Sequence, residues 1–308
     1  MKVALIHYRY TLRGGLETRL MNYMNFFLER GDEVCLICSR ISEGVSVPEN
    51  VRIVLLSPGL VLKPWRQKAF SDKVKKYLGN NQFDFSLSLG RTEGQDAVLA
   101  PGNHVGYLRA LKKSSFSVSD GQQIEMDKRS FLSSKVIFAC SEMIRHELIN
   151  DYRIDEDKIQ VLYPPLNTKK FKILEESTRI ALKEKYDIRG DKKTFLFVSS
   201  SHERKGLPFL FNLFEQLQNE PIELIIVGYP KVHSALDNVR FLEFSNHPEE
   251  LYNIVDFTIH PAIYEPFGQI VSESLQCGTP VIISDMTGAK EIVRKNMGYV
   301  LPLNYEEK

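Results

Sequence analysis

Short apolar, β-branched runs alternate with helix-period segments along this chain of 308 residues, and that alternation leaves few folds open. Runs that are apolar throughout belong to strands buried on both faces, so the reading is α/β with parallel sheets. In the first half the expected strands are residues 3–7, 33–38, 51–55, 83–89 and 135–140. Between the first two, Leu16, Leu20, Met24, Phe27 and Leu28 fall at helical spacing, with Gly31 as a stop. The pattern restarts after Tyr163-Pro164-Pro165, where two prolines stiffen the chain and suit a hinge. Strands are then expected at 194–199, 223–228, 256–260 and 280–284, with helices around 207–217, 249–254 and 268–277. The expected organisation is two Rossmann-like domains, 1–165 and 166–308, facing a cleft at the strand C-termini.

A chain 43% hydrophobic can bury two cores of ordinary size. A formal net charge of +1 argues against a dedicated nucleic-acid binder. Residues 1–165 carry 23 Lys and Arg against 19 Asp and Glu, and residues 166–308 carry 17 against 20, so the first half is the basic one. The N-terminus reads as a first strand, with an apolar run too short for a secretory leader. No run approaches the roughly 20 apolar residues that span a bilayer. A soluble, cytoplasmic protein is expected. Cys35 and Cys38 sit in the strand-like Val34-Cys35-Leu36-Ile37-Cys38, three apart and so on opposite faces. Core packing is expected of them, neither pairing nor chelation.

Chemistry is concentrated in four places. Glu265 and Glu273 flank a loop-to-helix run, Tyr264-Glu265-Pro266-Phe267-Gly268-Gln269-Ile270-Val271-Ser272-Glu273, with seven residues between them. A helix N-terminus beside Gly268 offers free N–H groups to an anion. Two carboxylates flanking such a pocket suit a ligand with phosphate in the middle and hydroxyls at both ends, as in a nucleotide sugar. Ser199-Ser200-Ser201-His202-Glu203-Arg204-Lys205-Gly206 ends a strand and opens a helix, and the adjacent cations Arg204 and Lys205 suit a diphosphate. Gly14 and Gly15 allow close backbone approach to a ligand, although paired glycines are common in tight turns. His104, in Ala100-Pro101-Gly102-Asn103-His104 after the fourth expected strand, is read as a loop residue able to donate to a sugar hydroxyl. A lone His is more often structural. Asp155-Glu156-Asp157 follows no buried strand and reads as a turn. His233, His247 and His260 lack ligand spacing, so no metal is expected.

Along the chain these motifs resemble retaining glycosyltransferases of family 4, enzymes of the GT-B fold, and most nearly the lipopolysaccharide-core glucosyltransferases. Gly14-Gly15-Leu16-Glu17 resembles the family's G-G-x-E, and Lys135-Val136-Ile137-Phe138-Ala139-Cys140-Ser141-Glu142 its K-V-I-A-x-S-E. Lys158-Ile159-Gln160-Val161-Leu162-Tyr163-Pro164-Pro165 resembles the family hinge, and Arg204-Lys205-Gly206 with Glu265 to Glu273 its donor site. The resemblance implies that Glu273 binds ribose hydroxyls, that Glu265 faces the donor sugar, and that N–H groups around Phe267, Gly268 and Gln269 approach sugar and phosphate. Arg204 and Lys205 would neutralise the diphosphate in place of a metal, Gly14 and Gly15 would close on it, and His104 would lie near the transferred sugar. No cofactor is implied beyond a UDP-sugar as donor substrate. The implied activity moves a hexose, glucose by the nearest likeness, to a glycan or lipid-linked acceptor such as lipopolysaccharide core.

Residues 63–77 and 107–113 interleave cations with aromatics, including the only Trp, in the basic half. Peripheral attachment to an anionic membrane, at its inner face, is one reading; a solvated amphipathic helix is the other. Family members usually continue beyond the position where Asn304-Tyr305-Glu306-Glu307-Lys308 stands, so the C-terminal crossover helices are expected to be lacking from the second domain. Two rival functions share the sequence pattern: a nucleotide-sugar-binding partner subunit without turnover, and a UDP-sugar epimerase or hydrolase on the same fold.

Overall fold

A computed structural model describes residues 1–11, 15–242 and 247–303. The chain divides into two compact units, Met1–Pro164 and Pro165–Lys308.

The first unit contains strands β1 (Lys2–Tyr10), β2 (Glu33–Ile41), β3 (Val51–Leu55), β4 (Phe85–Ser88), β5 (Ala97–Ala100), β6 (Val136–Ala139) and β7 (Ile159–Val161). Its helices are α1 (Gly15–Glu29), α2 (Arg66–Asn80), α3 (His104–Ala110), α4 (Val118–Ser133) and α5 (Glu142–Tyr152). The strands form one sheet in the order β3-β2-β1-β4-β5-β6-β7, every pair parallel. β2 shows why the sheet is covered twice. Val34, Leu36 and Cys38 enter the core that holds Leu20, Met24 and Phe27 of α1, while Cys35 and Ile37 enter the one that holds Phe70 and Val74 of α2. All four cysteines are free and buried, and burial pushes the Cys38 thiol up to about 11. Gly31, with φ +80°, lets the chain leave α1 and return to the sheet.

The second unit contains β8 (Lys193–Ser199), β9 (Ile222–Gly228), β10 (Val239–Leu242), β11 (Phe257–His260), β12 (Val281–Ser284) and β13 (Gly298–Leu301). Its helices are α6 (Glu176–Lys185), α7 (Leu207–Gln216), α8 (Pro248–Tyr252) and α9 (Gln269–Gln276). The order is β10-β9-β8-β11-β12-β13, again parallel throughout. Phe197, Leu224, Ile226 and Ile259 pack with Leu207, Leu210 and Phe214 of α7.

Both sheets change winding direction once, between β1 and β4 and between β8 and β11. Loops at the C-terminal ends of such neighbours diverge and leave a crevice where ligands bind in open α/β sheets. In the second unit those loops carry Arg204, Lys205 and Glu265.

The sequence expectation is short by two strands in each unit. β5 (Ala-Val-Leu-Ala) lacks the β-branched run that marks a strand, β7 has three residues, and β10 and β13 are four-residue edge strands. One consequence corrects the placement of His104. It follows the fifth strand and not the fourth, and stands at the first position of α3, not on a loop. Asp155 caps a 3-10 turn, Glu156–Lys158, accepting from the Asp157 N–H.

Candidate functional site

Three loops leave the C-terminal edge of the second sheet and are hydrogen-bonded to one another. Ile263 N–H donates to the Arg204 carbonyl, Glu265 N–H to the Met286 carbonyl and Gly288 N–H to the Glu265 carbonyl, each at 2.9 Å. Gly206, with φ +88°, turns the first loop into α7, and a Cβ there would overlap the Pro261 carbonyl oxygen. Gly268, with φ +90°, turns the second into α9, where a Cβ would lie 3.1 Å from Thr287 Cγ2 and 3.2 Å from Glu265 Cγ. Left-handed backbone in such confined space suits glycine alone.

On this frame Arg204 Nη1 donates to the Tyr264 carbonyl at 2.6 Å and to Glu265 Oε2 at 3.1 Å. Lys205 Nζ donates to the Val198 carbonyl at 3.4 Å. His260, wholly buried at the end of β11, has Nε2 3.5 Å from Glu265 Oε2. Burial alone would raise the Glu265 carboxyl, but His260, Lys205 and Arg204 outweigh it and hold its pKa at about 2. Burial pushes the Lys205 ammonium down, Glu265 opposes that, and Arg204 reinforces it. Glu265 and, more weakly, Glu273 act on these two cations, and the first-turn N–H groups of α9 add positive potential beside them. Paired cations at a helix N-terminus suit an anion.

Glu273 is the fifth residue of α9, in its second turn. The hydroxyl of the buried Tyr252 donates to Glu273 Oε2 at 3.1 Å. Burial raises the Glu273 carboxyl, with Tyr252 opposing. Ser274 Oγ, on the inner face of α9, donates to the Thr279 carbonyl at 2.9 Å and is hydrogen-bonded to the Thr258 hydroxyl at 2.8 Å, tying the helix to β11. The structure therefore gathers Arg204, Lys205, Glu265 and Gly268, places Gln269 at the first position of α9, and buries the Phe267 ring. Sequence reading missed His260 and Tyr252. His260 lies five residues before Glu265 in a His-Pro pair, a signal set aside because it lacked metal-ligand spacing. Among the described residues, no group of three or more His, Cys, Asp or Glu is arranged to hold a metal ion.

In the first unit, Gly15 opens α1, and Gly14 lies outside the described residues. His104 is 8% exposed, with Nε2 2.8 Å from Asp120 Oδ1 and its backbone N–H bonded to Asp127. Lys113, Ser117 and His104 hold the Asp120 carboxyl far below the usual carboxylate range. With Nε2 engaged, a hydrogen bond from His104 to a sugar would have to use Nδ1. A cavity of about 190 Å³ opens nearby between the ends of β1, β4 and β5, lined by His7, Gly90, Arg91, Pro101, Gly102 and Asp127 among others.

The profile of glycosyltransferase family 4 matches residues 13–170, and that of glycosyl transferases group 1 matches residues 178–307. The chain belongs to glycosyltransferase family 4. Among curated family relatives, a probable transglycosylase of Burkholderia thailandensis is 29% identical over 246 residues, 80% of this chain and 66% of that protein. The lipopolysaccharide glucosyltransferase WaaG of Escherichia coli is 24% identical over 337 aligned positions, covering all of this chain and 87% of WaaG. An uncharacterized glycosyltransferase of Methanocaldococcus jannaschii is 28% identical, over 58% of this chain and 50% of that protein. This chain thus spans about two-thirds and one-half of two of these relatives. Of solved structures, WaaG superposes with a TM-score of 0.84 at 20% identity, over 99% of this chain and 87% of WaaG. Anabaena HepE in complex with UDP and glucose gives 0.71 at 16% identity, over 98% of this chain and 86% of HepE. These likenesses give the family-4 chain the GT-B fold.

Proposed function

We propose that this family-4 glycosyltransferase moves a hexose from a UDP-sugar to a glycan or lipid-linked acceptor, with retention at the anomeric carbon. One observation carries the reading: Arg204 and Lys205 stand beside Glu265 at the β8/β11 winding switch, next to the N-terminus of α9. In this reading Arg204, Lys205 and the N–H groups around Gly268 and Gln269 hold the diphosphate. Glu273 binds the ribose, and Glu265 meets the donor sugar. The anomeric carbon–phosphate oxygen bond breaks with its electron pair leaving on the diphosphate, and the acceptor oxygen bonds to the same carbon as its proton passes to the departing phosphate oxygen. Charge grows on the leaving group, where fixed cations stabilise it most. Glucose as the hexose and lipopolysaccharide core as the acceptor follow only the distant likeness to WaaG. In the same reading Gly14 and Gly15 meet the diphosphate, and His104 lies near the transferred sugar. Thermal unfolding against UDP- and GDP-sugars tests the donor. A UDP-sugar at 100 times its Kd should stabilise the protein by about 2.7 kcal/mol. Mass spectrometry with candidate acceptors should then show a glycoside; free sugar, an epimer or no product at all would replace transfer with one of the rivals.

An anionic membrane surface is the proposed setting for the acceptor. No described helix is long and apolar enough to cross a membrane. The 3-10 turn Lys63–Trp65 packs against α4; Leu60, Leu62 and Trp65 at the turn, and Leu111, Phe116 and Val118 before and at the start of α4, expose apolar side chains. Lys63 in that turn, Lys76 on α2 and Lys112 after α3 are exposed and form no ion pair with a described residue. Exposed apolar side chains together with free cations suit insertion among anionic headgroups. Replacing both Leu60 and Leu62 with Ser is expected to weaken binding to phosphatidylglycerol vesicles at least ~10-fold, since each buried Leu contributes roughly 1.5–3 kcal/mol. Binding of the unaltered protein should fall with salt. Salt-independent binding, or none, removes the membrane from this reading.

A further inference from the structure

Behind Glu265 the core contains a group that packing does not explain. His260 has no exposed surface, and neither ring nitrogen makes a hydrogen bond. Buried polar groups are normally satisfied, and an apolar side chain would occupy the end of β11 without that loss. The charged groups acting on the imidazole are Glu265, Lys205 and Arg204. Burial and the two cations disfavour a third positive charge here, so the ring is neutral at neutral pH. A neutral imidazole has one N–H, and Glu265 Oε2, 3.5 Å from Nε2, is the acceptor within reach. That distance is the outer limit of a hydrogen bond. Arg204 holds the same oxygen at 3.1 Å, and no described residue is hydrogen-bonded to Oε1.

We infer that His260 is a positioning residue: its Nε2–H secures Glu265 Oε2 when Arg204 turns to a diphosphate, so that Oε1 stays aimed at a donor-sugar hydroxyl. The inference rests on the reading of Glu265 as the carboxylate that meets the sugar. Without His260, an Arg204 drawn to phosphate leaves the Glu265 carboxylate free to rotate, and Oε1 loses its aim at the sugar. His260 therefore acts on the sugar end of the donor, while the nucleotide end is held by other groups.

The test compares His260→Leu, which removes the donor, with His260→Gln, whose amide N–H can reach where Nε2 stands. Binding of UDP alone is measured by calorimetry, and turnover of the active UDP-sugar is measured at saturating donor. The leucine variant should lose 10- to 100-fold in kcat while binding UDP within about threefold of the unaltered protein, and glutamine should recover most of the loss. Unchanged kcat in the leucine variant, or a glutamine variant as slow as leucine, overturns the inference while leaving the functional reading intact. Should leucine fail to fold, the glutamine variant decides alone: kcat within a few-fold of the unaltered protein supports the inference, and a 10- to 100-fold loss overturns it. An unaltered protein that binds no UDP ends both.

Discussion

Replacing Lys205 with alanine is expected to slow sugar transfer at least ~100-fold at saturating donor, the scale seen when one preorganised charge-stabilising group is removed. Lys205 is partly buried; burial lowers its pKa, and Glu265 supports its charge. In such surroundings a cation acts on developing phosphate charge with little screening. Arg204→Ala should do comparable damage by two routes, because the guanidinium also holds the Tyr264 carbonyl and Glu265 Oε2. Lys205→Arg is not a conservative control, since a planar fork replaces a compact charge. Single-turnover rates separate slow chemistry from weak binding. A Lys205→Ala enzyme within fivefold of normal would falsify the placement of the diphosphate.

Gly206→Ala is expected to cost roughly 3 kcal/mol of stability, more than its single methyl suggests. Its φ of +88° is unfavourable for any Cβ, and the added carbon would overlap the Pro261 carbonyl oxygen, a backbone atom that cannot rotate aside. Gly31→Ala supplies the control: φ is +80° there, but nothing lies within 4 Å. It should cost only the conformational term, about 1 kcal/mol. Urea unfolding of the two variants isolates the contribution of the contact. Equal losses would show that the loop after β8 can yield, and that the closeness of Gly206 to Pro261 constrains nothing.

What could be read from the sequence follows from where each signal resides. Local signals were strong at β1, β2, β8 and β9, whose apolar runs are continuous, and at α7 and α9, whose ends carry Gly206 and Gly268. Arg204, Lys205, Glu265 and Glu273 were legible because each lies within a few residues of a strand end or a helix start. β5 and β13 were not, because small residues in one and a glycine start in the other give no period to detect. Partnerships across the sheet were invisible for another reason. Tyr252 meets Glu273 from 21 residues away, and His104 meets Asp120 from 16, distances that only tertiary packing closes. His260 illustrates both cases: its position beside Glu265 was in plain view, but its burial and its unbonded nitrogens were not.

The amide of Ile263 resting on the carbonyl of Arg204, and that of Gly288 on the carbonyl of Glu265, make one mechanical part of three chain segments. Grafting a relative's segment 261–268 would therefore disturb Arg204 and Lys205, the cations proposed to hold the diphosphate. Redesign of this enzyme would have to transplant residues 199–206, 261–268 and 285–289 together, as a single cassette.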